Sequence, residues 1–169
     1  MKYRRSIRLQ NYDYAQAGAY FVTICTQHRA CVLGDVVDGQ MQLSELGQIA
    51  AEGWQWLAQQ YDEVQLDEWV IMPNHLHGIL VLSDDDGRGG SRAAQGLPRK
   101  PLGQLVGAFK TVTTKRINAL CSTPAALFWQ RNYHEHVIRN ELDLMRLREY
   151  VTNNPMQWVL DSLYPDHVT

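Results

Sequence analysis

The chain has 169 residues, of which 45% are hydrophobic and 20% charged, and its formal net charge is −2 at pH 7. This size and composition are typical of one domain with its own hydrophobic core, and the net charge by itself does not indicate a nucleic-acid partner. The three cysteines lack C-x-x-C spacing and support neither a disulfide framework nor a zinc knuckle. No apolar run is long enough for a signal peptide or a membrane span. We therefore predict a single domain over residues 1–169, with reduced thiols, in the cytoplasm.

The first third of the chain predicts a strand, a hairpin and a helix. Residues 19–26 are β-branched and aromatic, which favours a central strand. Two short segments, residues 31–34 and 41–43, flank an Asp-Gly pair and predict a hairpin. A serine at position 44 followed by glutamate predicts the start of a helix that runs to about residue 61. The side chains expected on its buried face are Leu46, Ile49, Ala50, Trp54 and Leu57.

The middle of the chain predicts two strands, a loop and a second helix. Residues 64–72 and 75–82 are expected to be strands that meet at a Pro-Asn pair. Residues 84–98 are rich in Gly, Asp, Arg and Ser, and we expect a mobile loop there. Residues 102–121 predict a helix. Its inward-facing positions are expected to be Leu105, Phe109, Val112 and Ile117.

The last part of the chain predicts a strand over residues 133–138 and a helix over residues 141–154. Strands mixed with helices in this order, with hairpin connections, favour an α+β fold built on an antiparallel sheet. Neither an internal repeat nor a second domain is apparent.

Two histidines, His75 and His77, flank Leu76 inside a predicted strand. Side chains on a strand alternate between faces, so both imidazoles are expected to point the same way and could hold one divalent metal. A lone His-x-His is also compatible with two exposed histidines. Downstream, Tyr150 and Asn154 would lie one helical turn apart on the same face, where they could supply a nucleophile and a third ligand.

The motifs at residues 72–77 (MPNHLH) and 150–154 (YVTNN) resemble those of the REP-associated tyrosine transposases. These belong to the HUH (His-hydrophobic-His) single-strand transposases of the insertion-sequence type. The resemblance runs in order from about residue 3 to residue 158. Further matching segments are residues 4–8, 19–26, 128–133, 136–140 and 153–155.

This resemblance implies a ferredoxin-like antiparallel sheet with packed helices and the His-x-His on a central strand. It also implies a metal-dependent endonuclease and strand transferase in which Tyr150 attacks single-stranded DNA and forms a 5′-phosphotyrosine. His75, His77 and Asn154 would bind Mg²⁺ or Mn²⁺, which would offset the weak nucleophilicity of a phenol. Related insertion-sequence transposases carry Gln at the position of Asn154, and the shorter Asn would bring the metal closer to the helix or require a bridging water.

The implied partner is an imperfectly palindromic DNA hairpin with a short single-stranded guide, in the cytoplasm and nucleoid of a bacterium. A homodimer is possible, because some relatives assemble their sites across two subunits. Residues 87–116 contain seven basic side chains and no acidic one, which suits phosphate contact or an ordinary solvated face. The predicted DNA contacts are Arg4, Arg5, Arg8, Arg99, Lys100, Lys110, Lys115, Arg116 and Arg131.

Several residues carry a second interpretation. Tyr150 could be a core tyrosine, and Pro155 could end the helix so that Asn154 acts as a cap. Trp129 suits base stacking and core packing about equally, and Asn74 suits a turn better than a metal site. A second His-x-His, His134 and His136, could by itself compete as a metal site; strand packing or DNA contact is expected for His136, and exposure for His134.

Two other functions stay open at this point. The first is a domesticated hairpin-binding protein that no longer transposes. The second is a metallo-phosphoesterase in which Tyr150 is structural, which would form product without a covalent adduct.

Overall fold

The structure is a computed structural model that describes residues 12–83 and 99–165. The predicted DNA contacts Arg4, Arg5 and Arg8 and the predicted loop at residues 84–98 lie outside the described residues. Within the described ranges, no helix is both long enough and apolar enough to cross a membrane.

Strands and helices alternate along the described chain. The strands are β1 Gly18–Cys25, β2 Gly34–Val37, β3 Gln40–Leu43, β4 Val64–Met72, β5 His75–Leu82 and β6 His134–Ile138. The helices are α1 Glu45–Gln60, α2 Leu102–Cys121 and α3 Glu141–Asn153. Short 3₁₀ helices cover Gln27–Arg29 and Pro155–Leu160.

The main sheet has the strand order β4-β5-β1-β6, and every neighbouring pair is antiparallel. With α1 between β1 and β4 and α2 between β5 and β6, this is the βαββαβ arrangement of a ferredoxin-like fold. The predicted α+β class is confirmed, and so is the placement of His75 and His77 on a central strand, because β5 lies between β4 and β1.

The two faces of the sheet carry different layers. Leu76 and Leu80 of β5 pack into the main core with Trp54 of α1 and Phe109 of α2. Ile79 points to the other face, where Val151 of α3 covers it. Because side chains alternate along a strand, His75 and His77 share the face of Ile79 and α3, opposite to α1 and α2.

Helix α1 begins where the sequence predicts. The Ser44 side chain accepts a hydrogen bond of 3.1 Å from the Gly47 amide, which caps the first turn. Ala50, Trp54 and Leu57 are buried as expected, whereas the predicted core residues Leu46 and Ile49 are only half-buried.

Helix α2 has the predicted bounds but a slightly different buried face. Leu105, Phe109 and Ile117 are buried, Val112 is half-buried, and the neighbouring Thr113 is fully buried instead. The buried indole of Trp129 donates to the Thr113 hydroxyl at 2.8 Å. This contact places Trp129 in the core, so that of its two interpretations core packing is the one observed.

The hairpin forms, but its first strand lies later than predicted. Asp38 and Gly39 have φ of 51° and 72°, as a two-residue turn with two positive φ angles requires. The first strand starts at Gly34, and Leu33 before it is fully buried. The apolar character of residues 31–33 therefore reflects core packing at Leu33 and not strand pairing.

The end of α3 corrects one expectation. The helix ends at Asn153, one residue earlier than predicted, and Asn154 is its C-cap. Asn154 nevertheless keeps helical angles, φ −57° and ψ −42°, although Pro155 follows it. The alternative in which the helix ends before Pro155 and Asn154 acts as its cap is the one observed, and the chain continues directly into the 3₁₀ helix Pro155–Leu160.

Polar contacts fix α3 against the sheet. The Asn140 side chain caps its N-terminus by accepting from the Asp143 amide at 2.9 Å. Arg148 donates to both carboxylate oxygens of Asp67 at 2.9 and 2.6 Å, a bidentate pair that joins α3 to β4. These contacts determine where Tyr150, two residues after Arg148, meets the sheet.

Candidate metal centre and nucleophile

His75 is held in one orientation and exposes one ring nitrogen to the site. The Asn74 side-chain amide donates to the Leu163 carbonyl at 2.8 Å, so its oxygen faces His75 and accepts from Nδ1 at 2.7 Å. This hydrogen bond leaves Nε2 with its lone pair, the form that binds a metal. His75 is 0% exposed, and within the described part of the chain Nε2 has no hydrogen-bond partner.

His77 lies beside His75, with 4.3 Å between the ring centroids. Its Nδ1 is 2.8 Å from the hydroxyl of Thr23 on β1, and its ring stacks on Phe21. Burial lowers the pKa of both imidazoles, and for His75 the neighbouring His77 lowers the pKa further. Both rings are therefore neutral near pH 7, as metal ligands must be.

Asp161, which was not predicted from the sequence, completes a cluster with His75 and His77. Its Oδ2 is 3.9 Å from Nε2 of His75 and 3.9 Å from Nε2 of His77, and the three ligand atoms all lie within 4.8 Å of one another. Burial alone would raise the pKa of Asp161, but His77 and the Leu163 amide lower it well below its usual range. Two neutral imidazoles and one carboxylate form a suitable ligand set for a divalent cation.

No motif marks Asp161 in the sequence. It follows the 3₁₀ helix that begins at Pro155, and its side chain is positioned by the Leu163 amide, which donates to Oδ1 at 2.7 Å. The available signal is an acidic residue shortly after the tyrosine helix, which is too common a pattern to be informative.

Asn154, the predicted third ligand, is buried next to this cluster. Its amide nitrogen donates to Oδ2 of Asp161 at 3.1 Å. Among the described residues its Oδ1 has no hydrogen-bond partner. The oxygen that a metal would need is thus not used by another donor, and metal binding by Asn154 stays a prediction.

Tyr150 faces the same cluster from α3. Its hydroxyl is 3.2 Å from Nε2 of His77, and its ring packs edge-on against His77 and Phe21. The side chain is 41% exposed, so it is not a core tyrosine. Burial of the hydroxyl and the charge of Asp161 raise its pKa, which Asn154 partly offsets, so the resting group is a neutral phenol.

A cavity of about 480 Å³ opens beside these groups. One part of its lining comes from Tyr150, His77 and Asp161, and another from the turn after β1 and the segment before β6. Its lining residues are Phe21, Thr23, Cys25, Arg29, His77, Gln130, Asn132, Tyr133, His134, Tyr150, Asp161, Ser162 and Leu163.

The second His-x-His does not join the site as a pair. His134 is exposed and lines the cavity, whereas His136 is bonded to Asp143 of α3 at 2.8 Å. Asn74 lies in the turn between β4 and β5, as predicted, and additionally orients His75.

The predicted basic DNA contacts are mostly distant from the histidines. Helix α2 packs on α1, across the sheet from His75, so Lys115 and Arg116 are not brought to the site. Arg116 pairs with Glu52, and Lys100 lies over the ring of Tyr61. Arg99 precedes α2 near Lys100, and Arg131 is exposed after Trp129.

The ammonium group of Lys110 makes hydrogen bonds within the protein. Its ammonium donates to the carbonyls of Gln130, Arg131 and Asn132 at 2.8, 3.3 and 3.3 Å. Burial lowers its pKa to about 8. In this arrangement Lys110 fixes the segment that forms one wall of the cavity.

No known family model matches this chain. A Haemophilus influenzae protein described as uncharacterized is 39% identical over 171 residues, covering 97% of this chain and 94% of the relative. Among solved structures, a REP-associated tyrosine transposase bound to a REP hairpin matches with TM-score 0.60 and 18% identity, over 89% of this chain and 73% of that chain. A proposed transposase of Deinococcus radiodurans matches with TM-score 0.51 and 16% identity, over 86% and 95% of the two chains.

Proposed function

We propose that this chain, which belongs to the same family as the Haemophilus influenzae protein and has the fold of the REP-associated tyrosine transposase, is a metal-dependent single-stranded DNA endonuclease and strand transferase. In this proposal it acts on hairpin DNA through a phosphotyrosine intermediate. Mg²⁺ or Mn²⁺ is the cofactor.

One observation carries the proposal: the Tyr150 hydroxyl lies 3.2 Å from His77 Nε2, at the edge of the cluster of His75, His77 and Asp161. A nucleophile beside a metal-ligand set is the arrangement that phosphodiester cleavage by transesterification needs. Within one chain Tyr150 already reaches His77, so a homodimer is not required to bring these two groups together.

The ligand set fits a divalent cation on an observation independent of the family. A buried imidazole nitrogen without a hydrogen-bond partner, as at His75 Nε2, is unfavourable unless something binds it. His75, His77 and Asp161 would hold the cation, with the Asn154 oxygen as a further ligand. When bound, the metal would neutralise charge on the phosphate and make phosphorus a better electrophile.

Apart from the metal, the reaction of Tyr150 needs no cofactor. Its oxygen forms a bond to phosphorus, the bond between phosphorus and the 3′ oxygen breaks, the phenol loses its proton, and the 3′ oxygen gains one. The new phosphotyrosine conserves the energy of the broken linkage, so a later attack by a 3′-hydroxyl can rejoin DNA. Because the resting pKa of Tyr150 is raised, its proton must be removed when the substrate is in place.

The proposed partner is hairpin DNA with an unpaired flanking strand, and the proposed location is the bacterial cytoplasm and nucleoid. The transposase with the higher TM-score was solved with a REP hairpin, which supports this choice of substrate. We propose that basic side chains outside the cavity bind the hairpin. These are Arg99, Lys100, Lys115, Arg116 and Arg131.

Asp161 favours a second candidate, a metallo-phosphoesterase. His75, His77 and Asp161 would hold the cation, which would supply an activated water, and the raised pKa of Tyr150 suits a structural phenol. Such an enzyme would cleave without becoming attached to its product.

The test uses end-labelled single strands from the DNA that flanks this protein's gene, incubated with protein and Mn²⁺. We expect a denaturant-resistant protein–DNA adduct with the wild type and none with Tyr150→Phe, while DNA affinity stays within about threefold because the ring is retained. Cleavage without an adduct would support the phosphoesterase. Binding to hairpin strands without cleavage would support a domesticated binding protein.

A further inference from the structure

One arginine, which no sequence motif marks, faces the cavity beside Tyr150. Among the described residues that line this cavity, Arg29 is the single Lys or Arg side chain. We infer that Arg29 binds a phosphate group of the cleaved DNA strand and positions that strand against Tyr150. This inference rests on the proposed function and adds a positioning residue to it.

The backbone that carries Arg29 is strained. His28 and Arg29 have φ of 57° and 55°, in the left-handed region that residues with a side chain rarely adopt. Two such residues in succession destabilise the fold unless the surroundings enforce the conformation. Strain of this kind is frequently located where a side chain must point at a ligand.

Hydrogen bonds hold this turn in place from both sides. The Arg29 amide donates to the Thr26 carbonyl at 3.0 Å, and the Thr26 hydroxyl lies 2.8 Å from the Ala30 carbonyl. The Gln130 side chain also donates to the Thr26 carbonyl, at 3.2 Å. These bonds hold the backbone of the turn that carries Arg29 in one conformation.

The same frame orients the metal ligands. The Thr26 hydroxyl lies 3.0 Å from the carbonyl of Asn74, and the Thr26 amide donates to that carbonyl at 2.9 Å. Asn74 is the residue whose side chain orients His75. Arg29 and His75 are thus attached to one rigid unit, which would keep a bound phosphate in register with the metal site.

The charge of Arg29 is available for this purpose. Its side chain is exposed, and none of the ion pairs found between described residues involves it. Lys110, which supports the neighbouring wall, has its ammonium bonded to three carbonyls. A guanidinium can donate two parallel hydrogen bonds to phosphate oxygens and carries the opposite charge, so Arg29 suits a phosphodiester.

The experiment measures whether Arg29 contacts one particular phosphate. Oligonucleotides that the wild type cleaves are synthesised with a neutral methylphosphonate at each position in turn, and adduct formation is measured with wild type, Arg29→Gln and Arg29→Lys. We expect Arg29→Gln to lower kcat/KM at least about tenfold, since hydrogen bonds to charged groups are worth roughly one to two factors of ten.

The decisive readout is loss of sensitivity at one position. The methylphosphonate at the contacted phosphate should slow the wild type about tenfold and should not slow Arg29→Gln any further, because the charge partner is already gone. Arg29→Lys should recover part of the activity and of this sensitivity. Arg146→Gln, which removes an exposed arginine of α3 outside the cavity, is the matched control and should behave as the wild type.

The outcomes separate this inference from the proposed function. If Arg29→Gln forms the adduct at the wild-type rate with the wild-type methylphosphonate pattern, Arg29 has no phosphate contact and the proposed function stands. If the wild type forms no adduct on any strand, the proposed function fails and the inference fails with it. Reduced activity of Arg29→Gln with an unchanged methylphosphonate pattern would indicate a damaged turn and would also reject the contact.

Discussion

At the scale of single residues, the site depends on side chains that bind no metal themselves. The Asn74 oxygen accepts from His75 Nδ1 and the Thr23 hydroxyl contacts His77 Nδ1, so each imidazole presents Nε2 to Asp161. Such contacts typically change metal affinity by about 10–100-fold when they are removed. A second layer of hydrogen bonds, which the His-x-His motif does not reveal, therefore orients the two predicted ligands His75 and His77.

The lowered pKa values of His75 and His77 predict how metal affinity depends on pH. Because burial lowers both pKa values below that of a free histidine, about 6.5, protons compete with the metal only at lower pH. We expect the affinity for Mn²⁺ to be nearly constant between about pH 7 and 8 and to fall as the pH drops through the lowered pKa values. Isothermal titration calorimetry in buffers of different ionisation enthalpy should show almost no proton release at pH 7. An affinity that falls about tenfold between pH 8 and 7 would contradict this.

At the scale of elements, strand β5 serves two layers at once. His75 and His77 face α3, while Leu76, Gly78 and Leu80 face α1 and α2. A Cβ at Gly78 would lie 2.6 Å from Cζ2 of Trp54, which is fully buried. Gly78 thus permits the close approach of α1 to the strand that carries the histidines.

This contact predicts the effect of two alanine substitutions. Gly78→Ala should lower the free energy of unfolding by about 1–3 kcal/mol through overpacking against Trp54. Gly107→Ala in α2 is the control, because a Cβ there meets nothing within 4 Å and alanine favours the helix by about 0.5–1 kcal/mol. Urea denaturation of both variants checks the two opposite signs, and equal stability of Gly78→Ala and the wild type would show that Trp54 moves freely.

At the scale of the whole molecule, the site joins segments that are far apart in the chain. Thr23 comes from β1, the histidines from β5, Tyr150 from α3 and Asp161 from the segment after Leu160. A metal bound by these residues would link the end of the described chain to the centre of the sheet. Its binding energy would then contribute to the stability of the folded state.

We accordingly expect Mn²⁺ to raise the melting temperature. At a concentration about 100 times its dissociation constant, the metal should add about 2.7 kcal/mol to the free energy of unfolding. Asp161→Asn should lose most of this gain, whereas Asp143→Asn, which removes the carboxylate that pairs with His136, should retain it. Differential scanning calorimetry with and without a chelator measures the gain, and an equal gain in both variants would remove Asp161 from the site.

The basic side chains on α2 predict how strongly DNA binding depends on the salt concentration. If Lys115 and Arg116 contact phosphates of the hairpin, replacing both with Gln should reduce the slope of log K against log salt by about 2. Arg116 would first leave its exposed pair with Glu52, which contributes little to stability. Fluorescence anisotropy between about 50 and 200 mM salt tests this, and an unchanged slope would show that this surface does not touch DNA.

The sequence by itself determined the α+β class, the central strand with His75 and His77, and the helix with Tyr150. It could do so because side-chain alternation, helix capping and turn residues act over a few neighbouring positions. The same local reasoning misplaced the first hairpin strand, since Leu33 is apolar for packing and not for pairing.

The tertiary structure decided which distant residues meet. Asp161 and Arg29 reach the cavity through a 3₁₀ segment and a strained turn, and neither contact has a sequence period that could reveal it. Lys110 was predicted from its charge, but the fold surrounds its ammonium with three carbonyls. Local patterns specify elements, whereas the partners of a charged or ligating side chain depend on how those elements pack.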